Sequence, residues 1–185
     1  MIIALIGLPC AGKTTFSKEL DNEYSAMGYK VKIIKLSQLI KAFYDDPTLS
    51  GQELEDKYIE SLKLFGKSFW ANKILKLHEA VDFLIIDGVW YLNELSFLQS
   101  QLNNQFCGVG LYNRKEILYE RACIDTMRKN EDINEFYRVM LIIKNFNINQ
   151  FSKYISYTDT NSTVSIKNEL LNVYKIHENR LQWFT

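Results

Sequence analysis

Chemistry is most concentrated in the run Gly7-Leu8-Pro9-Cys10-Ala11-Gly12-Lys13-Thr14. It fits the pattern G-x-x-x-x-G-K-[ST]. Two glycines at that spacing let the chain curl so that several backbone N–H groups converge on one anion. A helix starting at Lys13 would add its own unpaired N–H groups and the positive end of its dipole. Lys13 then brings a point charge to the β- and γ-phosphates, and the Thr14 hydroxyl a ligand for Mg²⁺. Gly7, Cys10, Ala11, Gly12, Lys13, Thr14 and Thr15 are therefore read as the binding loop for a nucleoside triphosphate. A plain strand-to-helix turn would leave Lys13-Thr14 without a packing purpose.

Two further sets of residues bear on phosphate chemistry. Asp87 follows the apolar run Phe83-Leu84-Ile85-Ile86 and stands at the tip of a strand, where a carboxylate can hold Mg²⁺ directly or through water. Asp82 is the competitor, but it begins that strand, and open parallel sheets bind ligands at the carboxyl ends. The five arginines, Arg114, Arg121, Arg128, Arg138 and Arg180, all fall in the second half of the chain. Arg121 and Arg128 are seven residues apart and share a helix face. Mobile guanidinium groups of this kind can neutralise a transferring phosphoryl group when a lid closes. The alternative is a solvated helix paired with Glu120, Glu131 or Asp132.

The surrounding pattern must position these groups. Strand-like and helix-like segments alternate, which predicts an α/β domain of three layers with a parallel five-stranded sheet. The strands are Ile2–Ile6, Val31–Leu36, Phe83–Ile86, Phe106–Tyr112 and Tyr154–Tyr157. Lys13–Met27 is predicted helical, with Gly28 as its stop. A helical insertion over about 37–80 separates the second and third strands. It comprises Ser37–Tyr44, a helix opened at Ser50 by a capping box with Glu53, and a helix capped by Ser68 and running through His78. Asn113–Lys129 and Ile133–Gln150 are predicted helical around a lid at about 121–140, and a last helix covers Lys167–His177.

Composition sets bounds on the rest. At 185 residues the chain suits one domain, 1–185, with a core that needs no staple. Lys plus Arg number 22 and Asp plus Glu 22, so net charge does not favour nucleic acid as a partner. Cys10, Cys107 and Cys123 are too scattered for a disulfide framework or a C-x-x-C site, and read as reduced thiols of a cytoplasmic protein. The apolar run Met1–Ile6 is too short for a signal peptide, and nothing approaches the ~20 apolar residues of a membrane span.

With these residues in place, the chain resembles the nucleoside monophosphate kinase branch of the P-loop kinases. The layout matches: phosphate loop, second strand, helical insertion, Asp87-Gly88 after the third strand, then an arginine-bearing lid. Leu64-Phe65-Gly66 with Phe69-Trp70, and Ile86-Asp87-Gly88-Val89 with Leu92-Asn93-Glu94, are similar to stretches in phage-type deoxynucleoside monophosphate kinases. Ile86-Asp87-Gly88-Val89 and the run from Glu120-Arg121 through Arg128 to Glu131-Asp132 are similar to dephospho-CoA-kinase-like proteins. The resemblance implies ATP on Lys13 and Thr14 and Mg²⁺ between Thr14 and Asp87. It implies a nucleoside monophosphate under the insertion as acceptor, with Arg121, Arg128 and Arg138 as catalytic lid arginines and Lys41 on the acceptor phosphate. Such a kinase works as a monomer or homodimer on small nucleotides.

Two departures mark the acceptor half. Related enzymes commonly carry an arginine where this chain has Trp90, and an acid where it has Gln38. Trp90 and Tyr91 can stack on a base or pack against the insertion. Other small-molecule kinases, of dephospho-CoA, sugar or shikimate type, and a non-catalytic nucleotide-binding module therefore stay open. An acceptor phosphate is already ionised at neutral pH, so no strong general base is needed. His78 and His177 are accordingly read as helix-surface residues.

Overall fold

The computed structural model describes residues 1–7, 10–88, 92–102, 105–112, 117–118, 120–121, 153–156, 164–172 and 174–175. The strands are β1 (Ile2–Ile6), β2 (Val31–Ile34), β3 (Phe83–Asp87), β4 (Phe106–Tyr112) and β5 (Lys153–Ser156). They lie in the order β2-β3-β1-β4-β5, and every pairing is parallel. The helices are α1 (Lys13–Ala26), α2 (Leu36–Tyr44), α3 (Gly51–Phe65), α4 (Phe69–His78) and α5 (Leu92–Leu102).

β1 explains the layering. All five of its residues are buried, and alternate side chains point to opposite faces of a sheet. Ile3 and Leu5 join Phe16, Leu20 and Tyr24 of α1, together with Ile166, Leu170 and Leu171 from the helical stretch 164–172, in one core. Ile2, Ala4 and Ile6 join Ala71 and Ile74 of α4 and Leu95 and Leu98 of α5 in another. One continuous apolar run thus serves two cores, which makes the middle of three layers. The stretch 164–172 is tied to α1 by the Tyr24 hydroxyl, which donates to the Lys167 carbonyl at 2.9 Å. Lys167 also pairs with Glu19 at 3.0 Å and Glu23 at 3.4 Å.

Local signals explain most boundaries. α1 ends in a Schellman turn, with Tyr29 N–H on the Tyr24 carbonyl at 3.1 Å and Gly28 N–H on Ser25 at 3.0 Å. Gly28 takes the left-handed conformation that this turn requires, at φ +91. The capping box at Ser50 does not form. Ser50 occupies the N-cap with extended backbone, but its hydroxyl makes no cap bond, nor does that of Ser68. Ser68 Oγ instead accepts from Asn72 Nδ2 at 3.3 Å. β2 stops at Ile34, two residues short of the sequence reading, because α2 already begins at Leu36. α5 lies where sequence reading assigned no helix, although Leu92, Leu95, Leu98 and Leu102 carry the helical period.

The insertion has its own core: Leu36, Ile40, Leu49, Leu54, Tyr58 and Trp70. Trp70 is fully buried, its indole N–H donates to Ser61 Oγ at 2.7 Å, and its ring stacks on Tyr58 at 6.5 Å. Around it Phe43, Phe65 and Phe69 meet edge to face or stacked, and Lys73 sits over the Phe43 and Phe69 rings.

His78 is not a plain surface residue. Its Nε2 lies 2.8 Å from the Met1 amino group, and burial, with that neighbouring positive charge, lowers its pKa to about 4. Glu94, on the first turn of α5, is buried against Tyr58. Among the described residues neither of its carboxylate oxygens has a well-formed hydrogen bond. Burial raises its pKa to about 7, the Tyr58 hydroxyl opposing the shift. The folded pKa lies above the unfolded one, so this group's stabilisation is complete below about pH 4.5 and is lost as pH rises through 7. Glu94→Gln should remove that loss. In paired thermal melts from pH 5 to 8, the variant should gain on the parent as pH rises, by on the order of 2–3 kcal/mol at pH 8. A difference that stays flat with pH would show that Glu94 ionises as freely in the fold as out of it.

Candidate nucleotide and phosphoryl-transfer site

In a parallel sheet all carboxyl ends lie on one side, and here they gather the chemistry. β1 ends at Ile6 and runs into the loop, β3 ends at Asp87, and β2 ends next to Lys35. The register sets Ile34 beside Ile86 and Leu5 beside Asp87. The loop is therefore level with the carboxylate before any side chain is considered.

Gly7 is needed for close approach. A Cβ there would stand 2.3 Å from the Leu111 carbonyl oxygen of β4. Gly12, the N-cap of α1, is left-handed at φ 95 and makes no side-chain cap. The first turn of α1 has no acidic residue, so the helix N-terminus stays open to an anion. Cys10 also has positive φ, 61, and Ala11 is fully buried. Thr15 is exposed on the first turn of α1.

The side chains meet as follows. Thr14 Oγ1 donates to Asp87 Oδ2 at 2.8 Å. Lys13 Nζ donates to the Gly7 carbonyl at 2.8 Å, folded back across its own loop. Arg121 Nη1 donates to the Cys10 carbonyl at 3.3 Å, which brings this arginine onto the loop from 111 residues away. Lys35 Nζ lies 3.4 Å from Asp87 Oδ2. Asp82, the rejected competitor, is occupied at the other end of the sheet, accepting the Lys30 N–H at 2.7 Å and the Tyr174 hydroxyl at 3.3 Å. Lys41 Nζ donates to the Pro47 carbonyl at 3.0 Å and would have to release it to meet an acceptor. Trp90, Tyr91, Arg128 and Arg138 lie outside the described residues.

Sequence reading did not single out Lys35, because it extended β2 through Leu36 and so made Lys35 an ordinary strand residue. The stop of the strand at Ile34 moves it to the ligand side of the sheet.

A divalent ion suits the Thr14–Asp87 pair. Asp87 is buried, its side chain 3% exposed, and a buried carboxylate requires compensating charge. A hydroxyl and a carboxylate oxygen are hard donors. Among the described residues no cluster of three or more His, Cys, Asp or Glu forms. A metal here would rest on Thr14, Asp87 and phosphate oxygens, in the manner of magnesium rather than zinc.

Solved structures share the fold over nearly the whole chain. Shikimate kinase from Bacteroides thetaiotaomicron superposes with a TM-score of 0.61 at 17% identity, over 95% of this chain and 98% of that one. Chaetomium thermophilum Kti12 in complex with ADP-AlF3 gives 0.59 at 16% identity, over 94% and 99%. A gluconokinase from Sinorhizobium meliloti 1021 gives 0.51 at 12%, over 99% and 96%. The fold is that of the P-loop kinases. Identities this low establish the fold and leave the substrate open. Residues 1–61 match the family described as chromatin associated protein KTI12, a span that runs from β1 into α3 of this P-loop kinase fold. Comparison with curated proteins finds no match. No helix among the described residues is long and apolar enough to cross a membrane.

Proposed function

We propose that this chain is a magnesium-dependent phosphotransferase that moves the γ-phosphoryl group of ATP to a small molecule. The observation that carries the reading is the 2.8 Å hydrogen bond from Thr14 to Asp87. It joins the helix start after the phosphate loop to the tip of β3, and these two residues would hold a magnesium ion beside the phosphates. Lys13 would leave the Gly7 carbonyl for the phosphates. Arg121, already on the loop, would neutralise the equatorial oxygens of the transferring group. Magnesium, when bound, would supply charge to the bridging and terminal oxygens.

The acceptor we favour is a nucleoside or deoxynucleoside monophosphate, yielding the diphosphate. Supporting it are the resemblance around Asp87-Gly88 and the three-helix insertion with its own core, which supplies a separate wall for a second substrate. Lys41, Trp90 and Tyr91 are the proposed acceptor contacts, and Arg128 and Arg138 the further lid cations. A second reading is a nucleotide-binding module whose output is occupancy. It is favoured by the KTI12-family match, which spans the phosphate loop, β2 and α2.

The deciding experiment incubates the protein and MgATP with all common ribo- and deoxynucleoside monophosphates, and with dephospho-CoA, shikimate and gluconate. Mass analysis of the products follows. A labelled diphosphate product supports the favoured acceptor. Transfer to another compound keeps the phosphotransferase and replaces its acceptor. ATP binding without transfer to any of them would overturn the catalytic reading in favour of the module.

A further inference from the structure

Lys35 belongs to no recognised part of the phosphate-loop pattern, yet it lies at its centre. Its ammonium is 3.4 Å from Asp87 Oδ2 and 3.4 Å from Thr14 Oγ1. Thr14 donates to the same Asp87 oxygen. An ammonium therefore stands against the two groups best suited to hold a divalent ion.

Its backbone is anchored from two sides. Lys35 follows the last residue of β2, and its carbonyl accepts the Gln38 and Leu39 N–H groups at 3.0 and 3.1 Å as the N-cap of α2. Its side chain is 38% exposed, a four-carbon stem with three rotatable donors. A fixed Cα with a mobile charge is what a relocating cation requires. The residue also stands at the junction of the two halves of the site: the helical insertion begins at α2, and the phosphate loop lies across Asp87.

We infer that Lys35 is a tethered cation that holds the Thr14–Asp87 pair in the absence of metal and moves onto the terminal phosphate when Mg²⁺ takes that pair. The inference rests on the nucleotide-site reading above. A dication and an ammonium sharing one carboxylate oxygen repel strongly in a low-dielectric site, so metal entry displaces the lysine. Anchored where the insertion begins, the displaced ammonium takes the γ-phosphate as its new counter-charge. Lys35 then contributes a further cation to the transferring group, beside Lys13 and Arg121.

The test uses Lys35→Met and Lys35→Gln in the full chain, each checked for folding by circular dichroism. The glutamine can still donate a hydrogen bond to Asp87, which makes it the second variant should the methionine fail to fold. Calorimetric titrations compare ADP with the β,γ-imido analogue of ATP over a series of Mg²⁺ concentrations. Loss of Lys35 should weaken the magnesium-bound analogue by about tenfold or more, one charged contact of about 1.4 kcal/mol. It should change magnesium-bound ADP by less than about threefold, with less Mg²⁺ needed for half-maximal ADP binding. Equal losses for the two nucleotides, or none for either, would overturn the role of Lys35 and leave the nucleotide site standing. Failure of the parent protein to bind either nucleotide would overturn both.

Discussion

Replacing Lys13 with alanine should lower phosphoryl transfer by about a thousandfold or more, close to 4 kcal/mol of transition-state stabilisation. Lys13 opens α1, whose N-terminus carries no side-chain cap and no acid. Its ammonium now rests on the Gly7 carbonyl, a neutral partner that gives way readily to phosphate oxygens. The exchange places a full charge against the γ-phosphoryl group, where negative charge is shared among three oxygens in the transition state. Structural cost should be small, since Lys13 is only partly buried. Thermal midpoint and transfer rate should therefore separate: a melt within a few degrees of the parent, and a rate near background in the acceptor panel. An alanine variant that transfers phosphate at the parental rate would sink the assignment of this loop.

Trp70→Ala should have the largest effect on stability, about 3–5 kcal/mol. Trp70 is fully buried in the insertion core. It ties α4 to α3 through Ser61 and meets Phe43 of α2 edge to face at 5.5 Å. Tyr58 stacks on the ring and Phe69 meets it edge to face, so its removal opens a cavity between them. In a chain of this size each kcal/mol lowers the midpoint by about 2–4 °C, so a fall on the order of 10 °C is expected. The loop and Asp87 belong to the sheet rather than to this core. Magnesium ADP should accordingly still raise the midpoint of the variant. A variant that melts with the parent would show that the insertion does not depend on this ring. Loss of the ADP effect would show that the insertion core supports the donor half as well.

The phosphate loop, its flanking strand and helix and the Asp87 tip were legible because each is a local pattern. A five-residue apolar run reads as a buried strand, and Lys13-Thr14 after two glycines has few other uses. The preference for Asp87 over Asp82 also came from local order along one strand, and the hydrogen bonds of Asp82 to Lys30 and Tyr174 account for that residue. Less legible were features with two competing local readings. Ser50-x-x-Glu53 has the spacing of a capping box, yet the serine takes only the N-cap backbone geometry. α5 carries leucines at helical period beside a strand of similar hydrophobicity. Glu94 stands where sequence reading assigns no helix, and only the packing of α5 against Tyr58 buries it.

By itself, the sequence determined the alternating strand–helix order and the parallel sheet, and it pointed to the proposed phosphate loop and to Thr14 and Asp87 as the proposed metal pair, because those rest on periodicity and on chemistry within a few neighbouring residues. Tertiary structure alone decided that Arg121 reaches the Cys10 carbonyl, that His78 meets the Met1 amino group, and that Lys35 lies against Asp87. Each of these joins residues distant along the chain, and which partners meet depends on strand order and on where a strand stops, here one residue before Lys35. One more residue of strand would make the lysine part of β2 rather than the N-cap of α2, and nothing in its immediate neighbours along the chain records the difference.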